Sequence, residues 1–414
     1  MKSNFLSISL VLFGMYAFAQ NATLSPYSYY GIGQPVSTRT AENNSIGGVT
    51  TYADSTQFSL DNPATLGKLR YVQYRVGANY KSSIQQTLQA QASVSTSALN
   101  YLSLSVPTKH FAFGFGLKPK TSLGYRINTT TENSDQEYKN LLSGTGGVNS
   151  TFLSVAIKPY KGLSLGVSAF YNFGYVEKTL IQTASGIQNS TQFVTDSELS
   201  GVHYTFGMHY ESNIFSNYAL QLSATYTPNA SLQSTNSRTI SSITTNGTIG
   251  TNKEIDLGNL ETTTNRLAAE TTLGLGFGKP QHWFAGLTYV NTSKGITNPL
   301  ESNADSNFVP ASRFSAGGFY IPKYDSFTSF LSRVVYRAGV RWEHTGLELK
   351  NQAVKDFGIT FGIGLPVNVL SKINIGVEIG QMGTNDAGLI KENYTNIMLG
   401  FSLSDIWFIK RKYD

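Results

Sequence analysis

The chain has 414 residues, no cysteine, 14% charged residues and a formal net charge of +6. Without cysteine there are no disulfides and no thiolate chemistry, and no block of like charge exceeds Lys410-Arg411-Lys412, which argues against a nucleic-acid surface. After the first twenty residues no stretch approaches the roughly 18 continuous apolar residues of a transmembrane helix, yet the chain holds 24 Tyr, 24 Phe and 39 Gly. Low charge with many aromatics and glycines suits a transmembrane β-barrel, the one alternative to helices that satisfies every backbone group in lipid.

Residues 1–20 combine Lys2, an apolar run over about residues 5–15 and the small-residue site Ala17-Phe18-Ala19. This is the layout of a secretory signal peptide. The run is short of the roughly 20 residues that span a bilayer as a helix, so the chain is expected to be exported and to begin near Gln20 or Asn21.

Residues 21–68 do not alternate. They hold "SPYSYYGIG" at 25–33, with Pro26, Tyr27, Tyr30, Gly31 and Gly33, then Gly47 and Gly48, then "DNPATL" with Asn62, Pro63 and Ala64. The glycines permit tight backbone turns. Pro63 removes a donor and biases Asn62 away from helix, a stop before the first strand. The residues admit two readings, a loose tail or a packed plug. The scarcity of charge and the Tyr and Ser content are unlike a disordered linker.

From residue 69 to 414 the period is two. Phe111, Phe113, Phe115 and Leu117 share one face of "FAFGFGLK"; Phe357, Ile359, Phe361 and Ile363 share one face of "DFGITFGIGL", against Gly358, Thr360, Gly362 and Gly364. Greasy residues alternating with small polar ones in segments of about ten are the mark of a barrel with its apolar face to lipid. A soluble sandwich would carry charge on its outer face. Strands are expected near 69–82, 87–107, 109–129, 149–158, 163–183, 190–211, 218–236, 262–277, 283–293, 311–322, 333–347, 353–365, 373–384 and 392–405, about fourteen in all. Short links such as "PTKH", "KPYKG" and "GKPQH" alternate with longer polar stretches at 130–147, 185–200, 237–261 and 294–310. Short periplasmic turns and long outer loops then put both termini in the periplasm. Trp407 and Phe408 end the last strand as interfacial aromatics.

Three features fall inside this pattern. Pro119 stands in the middle of the third strand, where a missing donor demands a bulge or a gap. Arg333, Arg337, Arg341 and Glu343 line the inward face of the eleventh strand, with Arg75 and Glu378 inward elsewhere. Buried charges must pair, so these either pin the leader by ion pairs or form an anion-binding patch. "GLSLG" at 162–166 matches a nucleophile elbow, but lies in a two-residue alternation rather than a strand-to-helix turn. His203 and His209 are about 20 Å apart at strand rise, too far to share a metal.

The leader with "SPYSYYGIG" and "NPA" followed by about fourteen strands resembles the FadL/TodX-type outer-membrane barrels, in particular their Bacteroidota branch. The resemblance implies an all-β transmembrane antiparallel barrel whose residues 21–68 form a periplasmic hatch inside the lumen. "NPA" would sit at the junction of hatch and barrel, and a strand-three kink at Pro119 would open a lateral window. It implies no enzyme, cofactor or metal. Two functions follow from it: a gated channel for hydrophobic small molecules, or a non-transporting subunit of an outer-membrane machine for type IX secretion or barrel assembly. The partners implied are outer-membrane lipid, a hydrophobic lumen ligand, and other barrels or lipoproteins.

Overall fold

A computed structural model describes residues 23–37, 39–133, 136–214, 217–244, 249–294, 306–367 and 370–405. The expected signal peptide, Trp407 and Phe408 lie outside them. The described strands form one closed antiparallel barrel of fourteen staves. These are β1 Val72–Gln86, β2 Gln91–Pro107, β3 Phe111–Asn133, β4 Gln136–Tyr160, β5 Leu163–Ala184 and β6 Asn189–Ile214. β7 joins Tyr218–Thr227 and Ala230–Thr244, and β8 joins Ile249–Glu254, Thr262–Leu267 and Glu270–Lys279. Then come β9 Trp283–Thr292, β10 (Ser306–Phe308 and Ala311–Tyr320), β11 Val335–Leu349, β12 Gln352–Pro366, β13 Lys372–Met382 and β14 Lys391–Asp405. β14 closes on β1 in continuous register from Lys391↔Gln86 to Asp405↔Val72.

The alternation sets which face each side chain takes. Phe111, Phe113, Phe115 and Leu117 point outward and exposed, as do Phe357, Ile359, Phe361, Ile397, Leu399, Phe401 and Leu403. The intervening Ser, Thr, Asn and Gly residues point inward. A soluble monomer rarely exposes a contiguous apolar patch above a few hundred Å², whereas a lipid-facing belt requires one.

Three stretches expected as outer loops are largely strand. Most of 130–147 continues the β3–β4 hairpin, with the ladder running from Phe111↔Ile157 to Asn133↔Gln136. Most of 185–200 belongs to β6, and 237–244 and 249–254 pair with each other in β7 and β8. β3 to β6 therefore run 22 to 26 residues, about twice the 9–11 a membrane crossing takes. The extra length makes one side of the barrel wall taller than the other.

Residues 23–69 run along the inward face and contain little regular structure. Pro26–Tyr29 and Pro63–Lys68 are 3₁₀ turns with proline at the first position, where the missing donor costs nothing. Ala41–Asn44 is a single helical turn capped by Thr40, whose hydroxyl accepts from Asn43 N. Gly33 and Gly47 have φ of 98° and 73°, a region open to glycine and strained for other residues.

This segment rests on paired inward glycines. Gly166 and Gly207 face each other across β5 and β6, and "NPA" lies on them: a Cβ at Gly166 would stand 2.6 Å from Ala64 N, and one at Gly207 would overlap Asn62 Oδ1. Gly317 and Gly339 pair across β10 and β11 beneath Ile46 and Gly47, and Gly362 and Gly376 pair across β12 and β13 beneath Ser45. A Cβ at Gly339 would overlap Gly47 N, which is backbone and cannot step aside. Gly339→Val should leave the ladder intact and lift residues 39–52 off the wall. Trypsin should then cut after Arg39, which is buried in the native chain; unchanged digestion would show that the seat is dispensable.

Candidate functional site: the inner face and the seam at strand three

The N-terminal segment is bonded to the wall along its whole length. At its start the Ser25 hydroxyl donates to Glu392 Oε2 (2.8 Å), Tyr27 donates to Ile390 O, and Lys178 Nζ donates to the carbonyls of Tyr29 and Gly31 (2.9 Å each). Tyr30 packs edge-on against Tyr29, with ring centroids 5.1 Å apart. In the middle, Gly47 N donates to Thr360 Oγ1 (2.8 Å), and the Gln221 amide bonds both the N–H and the carbonyl of Ala53. At its end the Asn62 amide works twice: Oδ1 caps Ala64 N at 3.0 Å, and Nδ2 donates to Met208 O at 3.1 Å. One side chain thus shapes the "NPA" turn and ties it to β6.

Arg75 on β1 is buried against the N-terminal segment. It lies 3.6 Å from Glu42 Oε1, donates to Thr56 O (2.6 Å), and stacks over the Phe58 ring at 4.6 Å. Glu42 also accepts from Ser402 Oγ at 2.9 Å. Burial works to raise the Glu42 carboxyl, and the Arg75 and Arg337 guanidiniums outweigh it and hold it below the ordinary value. Asp61 is held low in the same way, with burial opposed by Lys118 at 3.2 Å and Arg39 at 3.1 Å.

Arg337 and Arg341 on β11 make their hydrogen bonds to the wall, while Arg337 also acts on Glu42 through its charge. Arg337 donates to Asn374 Oδ1 (3.0 Å). Arg341 bonds Glu343, Asp356, Glu378 and the Tyr394 hydroxyl at 2.7, 2.9, 2.8 and 2.7 Å. This network spans β11 to β14, so the expectation that Arg341 chiefly pins the leader is corrected: its carboxylate partners are on the barrel. Arg333 is corrected too. β11 begins at Val335, and Arg333 ends a 3₁₀ turn outside it, exposed and over the Phe330 ring at 5.7 Å. Strand periodicity was extended two residues too far.

Sequence reasoning missed Glu42, Asp61, Lys118 and Glu392, four of the groups that join segment to wall. A signal existed, since residues 23–68 hold few acidic residues to face the inward cations.

The ladder is interrupted beside Pro119. β2 and β3 pair only from Leu102↔Leu117 to Pro107↔Ala112. Among the described residues, the rest of both facing edges is not paired across that seam. On its other side β3 bulges between Pro119 and Thr121. The N-terminal segment takes the place of β2 there: Gln34 pairs with Ser122, Pro35 with Thr121, and Val36 N donates to Lys120 O at 3.0 Å. Farther up, the Ser28 hydroxyl accepts from Gly124 N at 3.1 Å and lies 2.8 Å from its carbonyl. Behind the seam is a cavity of about 430 Å³ whose lining includes Arg39, Asp61, Lys118, Lys120, Glu270 and Arg313. These charges stand among apolar lining residues such as Ile32, Phe170, Leu267, Val290 and Phe308, so the space is mixed in character. Ser164 of the "GLSLG" match sits within strand β5 against Gly67. His203 stacks on Phe170 and His209 bonds Thr51 O, on separate partners.

Arg75→Ala would leave Glu42 buried without its nearest cation, a change that costs about 3–5 kcal/mol. It should make residues 39–60 locally mobile and raise single-channel conductance in planar bilayers. Arg333→Ala should change stability by less than about 0.5 kcal/mol, as exposed positions do. Equal behaviour of the two variants in thermal unfolding and conductance would contradict the assignment.

A family model described as BamG matches residues 1–414. No curated protein matches the chain significantly. Among solved structures, the Pseudomonas putida toluene transporter TodX aligns at TM-score 0.60 with 15% identity, covering 90% of this chain and 99% of that one. The CymD monoaromatic hydrocarbon channel aligns at 0.58 with 11% identity over 91% and 99%. A Pseudomonas aeruginosa FadL homologue aligns at 0.56 with 12% identity over 91% and 100%. At these identities the likeness is one of fold.

Proposed function

The chain belongs to the BamG family, and we propose that it is an outer-membrane FadL-like barrel serving as a non-transporting accessory subunit of a protein machine, in keeping with the barrel-assembly association its family name suggests. The observation that carries this reading is the filled lumen. Residues 23–69 act as a hatch seated on glycine pairs, bonded from Ser25 to Asn62 and locked by Arg75 and Glu42. The remaining cavity sets titratable side chains such as Arg39, Asp61, Lys118 and Arg313 among its apolar lining, and carrying a hydrocarbon past buried charges meets a polar barrier. The leader's "SPYS" start supports placement in the Bacteroidota branch, and the alternation of turns supports periplasmic termini.

Purification from native membranes in mild detergent tests the function. The subunit reading expects the barrel in a stable complex with other outer-membrane proteins; a lone monomer that carries lipid or detergent inside would contradict it. In the same cells, Lys253→Cys should label from outside and Lys161→Cys should not, since these positions lie at opposite ends of the strands. The reverse pattern would invert the topology.

A second reading, a gated channel for hydrophobic small molecules, is favoured by the seam at Pro119. Two of the structural neighbours are described as hydrocarbon channels. Pro119→Val restores a ladder donor and favours strand. In a channel it should slow uptake of a fluorescent long-chain lipid while leaving assembly intact. Uptake equal in wild type, variant and a strain lacking the protein would remove the channel reading.

A further inference from the structure

The connection from β10 to β11, residues 321–334, differs from the other turns at its end of the barrel. Those at 108–110, 161–162 and 280–282 are two or three residues long and hold no large apolar side chain. This one is "IPKYDSFTSFLSRV", and it is a defined structure rather than slack chain. Lys323 N donates to Ser332 O (2.8 Å), and Arg333 N donates to Phe330 O (3.0 Å). The hydroxyls of Ser326 and Ser329 accept from Ser329 N and Ser332 N. Ile321 and Val334 are buried at its two ends, and between them the order of the loop comes from these local bonds. Phe327 is 101% exposed, Leu331 67% and Phe330 48%. Three apolar side chains are held in water by a closed hydrogen-bonded frame, forgoing the gain that burial would bring.

The loop leans toward the outer surface. The Tyr336 hydroxyl donates to Leu331 O at 3.2 Å, and Tyr336 is an outward residue paired directly with outward Tyr320. These two tyrosines end the apolar belt on β10 and β11, so Phe327, Phe330 and Leu331 continue that belt just past its rim. Lys323 and Arg333 are exposed on the same loop, against one exposed acid, Asp325. Lys279 ends β8 beside the next turn of this end. Aromatic side chains beside lysine and arginine at the end of an apolar belt are the chemistry of the bilayer interface, with rings among the acyl carbonyls and cations at the phosphates.

We infer that residues 323–333 form an interfacial anchor that inserts Phe327, Phe330 and Leu331 into the phospholipid leaflet on this side of the membrane, with Lys323 and Arg333 on lipid phosphates. The inference is independent of whether the barrel transports. A one-sided anchor would fix the tilt of the barrel, and with it the direction in which the taller β3–β6 wall faces.

The protein lacks cysteine, so Thr328→Cys carries a single nitroxide beside an intact Phe327. The labelled full chain is reconstituted in vesicles of phosphatidylethanolamine and phosphatidylglycerol, with Lys161→Cys as the reference at the same end. Collision with oxygen relative to a water-soluble nickel chelate should be several-fold higher at 328 than at 161. Adding Phe330→Ser and Leu331→Ser should bring it down to the reference value. Equal ratios at 328 and 161 in vesicles would overturn the anchor. So would shielding of 328 from both reagents in native membranes but not in lipid vesicles, which would place a protein partner on the loop.

Discussion

The path of the N-terminal segment depends on its close approach to the wall at inward glycine pairs. A fourteen-stranded cylinder has room for an extended chain only where the wall has no side chains. Gly166 with Gly207, Gly317 with Gly339, and Gly362 with Gly376 supply such places at three separate positions around the wall. Each receives a turn of the N-terminal segment, at Asn62-Pro63-Ala64, at Ile46-Gly47 and at Ser45 respectively. Between the seats, Asn, Thr and Gln side chains bond the segment's amides, since a buried amide without a partner costs free energy. The charges come last: Arg75 with Glu42, and Lys118 with Asp61, fix a segment whose path the glycines have already set.

Much of this architecture can be read in the sequence. Alternation over β1 to β14 works because lipid on one side and a crowded lumen on the other impose a period of two on every residue. It fails where the strands leave lipid. Between 130 and 147 the apolar-polar contrast fades into polar and charged residues such as Thr130, Glu137 and Lys139, and the ladder continues past the expected strand ends. The inward glycines were visible but ambiguous, because a wide polar channel and a wall built for backbone contact leave the same small residues. Which acid meets which base was not legible at all. Arg75 and Glu42 are 33 positions apart and meet only because a helical turn at Ala41–Asn44 points one carboxylate at β1. Arg333 shows the opposite error, a real periodicity carried past the residue where the strand starts.

The seam at Pro119 and the filled lumen have one origin. β3 needs a partner beyond Leu117, and residues 28–36 provide it, so the segment is at once the filling of the barrel and a piece of its wall. A channel that opened by withdrawing this segment would expose the β3 edge and the charges of Arg39, Asp61 and Lys118 together. On the proposed subunit reading the segment need not move, and the outer belt, the tall wall and the aromatic loop at 321–334 would be the working surfaces.

The most direct measurement is a cross-link that fixes the segment. Thr51 and Ser223 face each other with hydroxyl oxygens 3.1 Å apart, and Thr51→Cys with Ser223→Cys places a disulfide between segment and β7. Entry of a fluorescent long-chain lipid into vesicles containing this variant is recorded before and after reduction. If the segment is a fixed part of the barrel, entry stays at the level of protein-free vesicles in both states. Entry that is blocked in the oxidised form and appears on reduction would contradict the account, because it would require the segment to move.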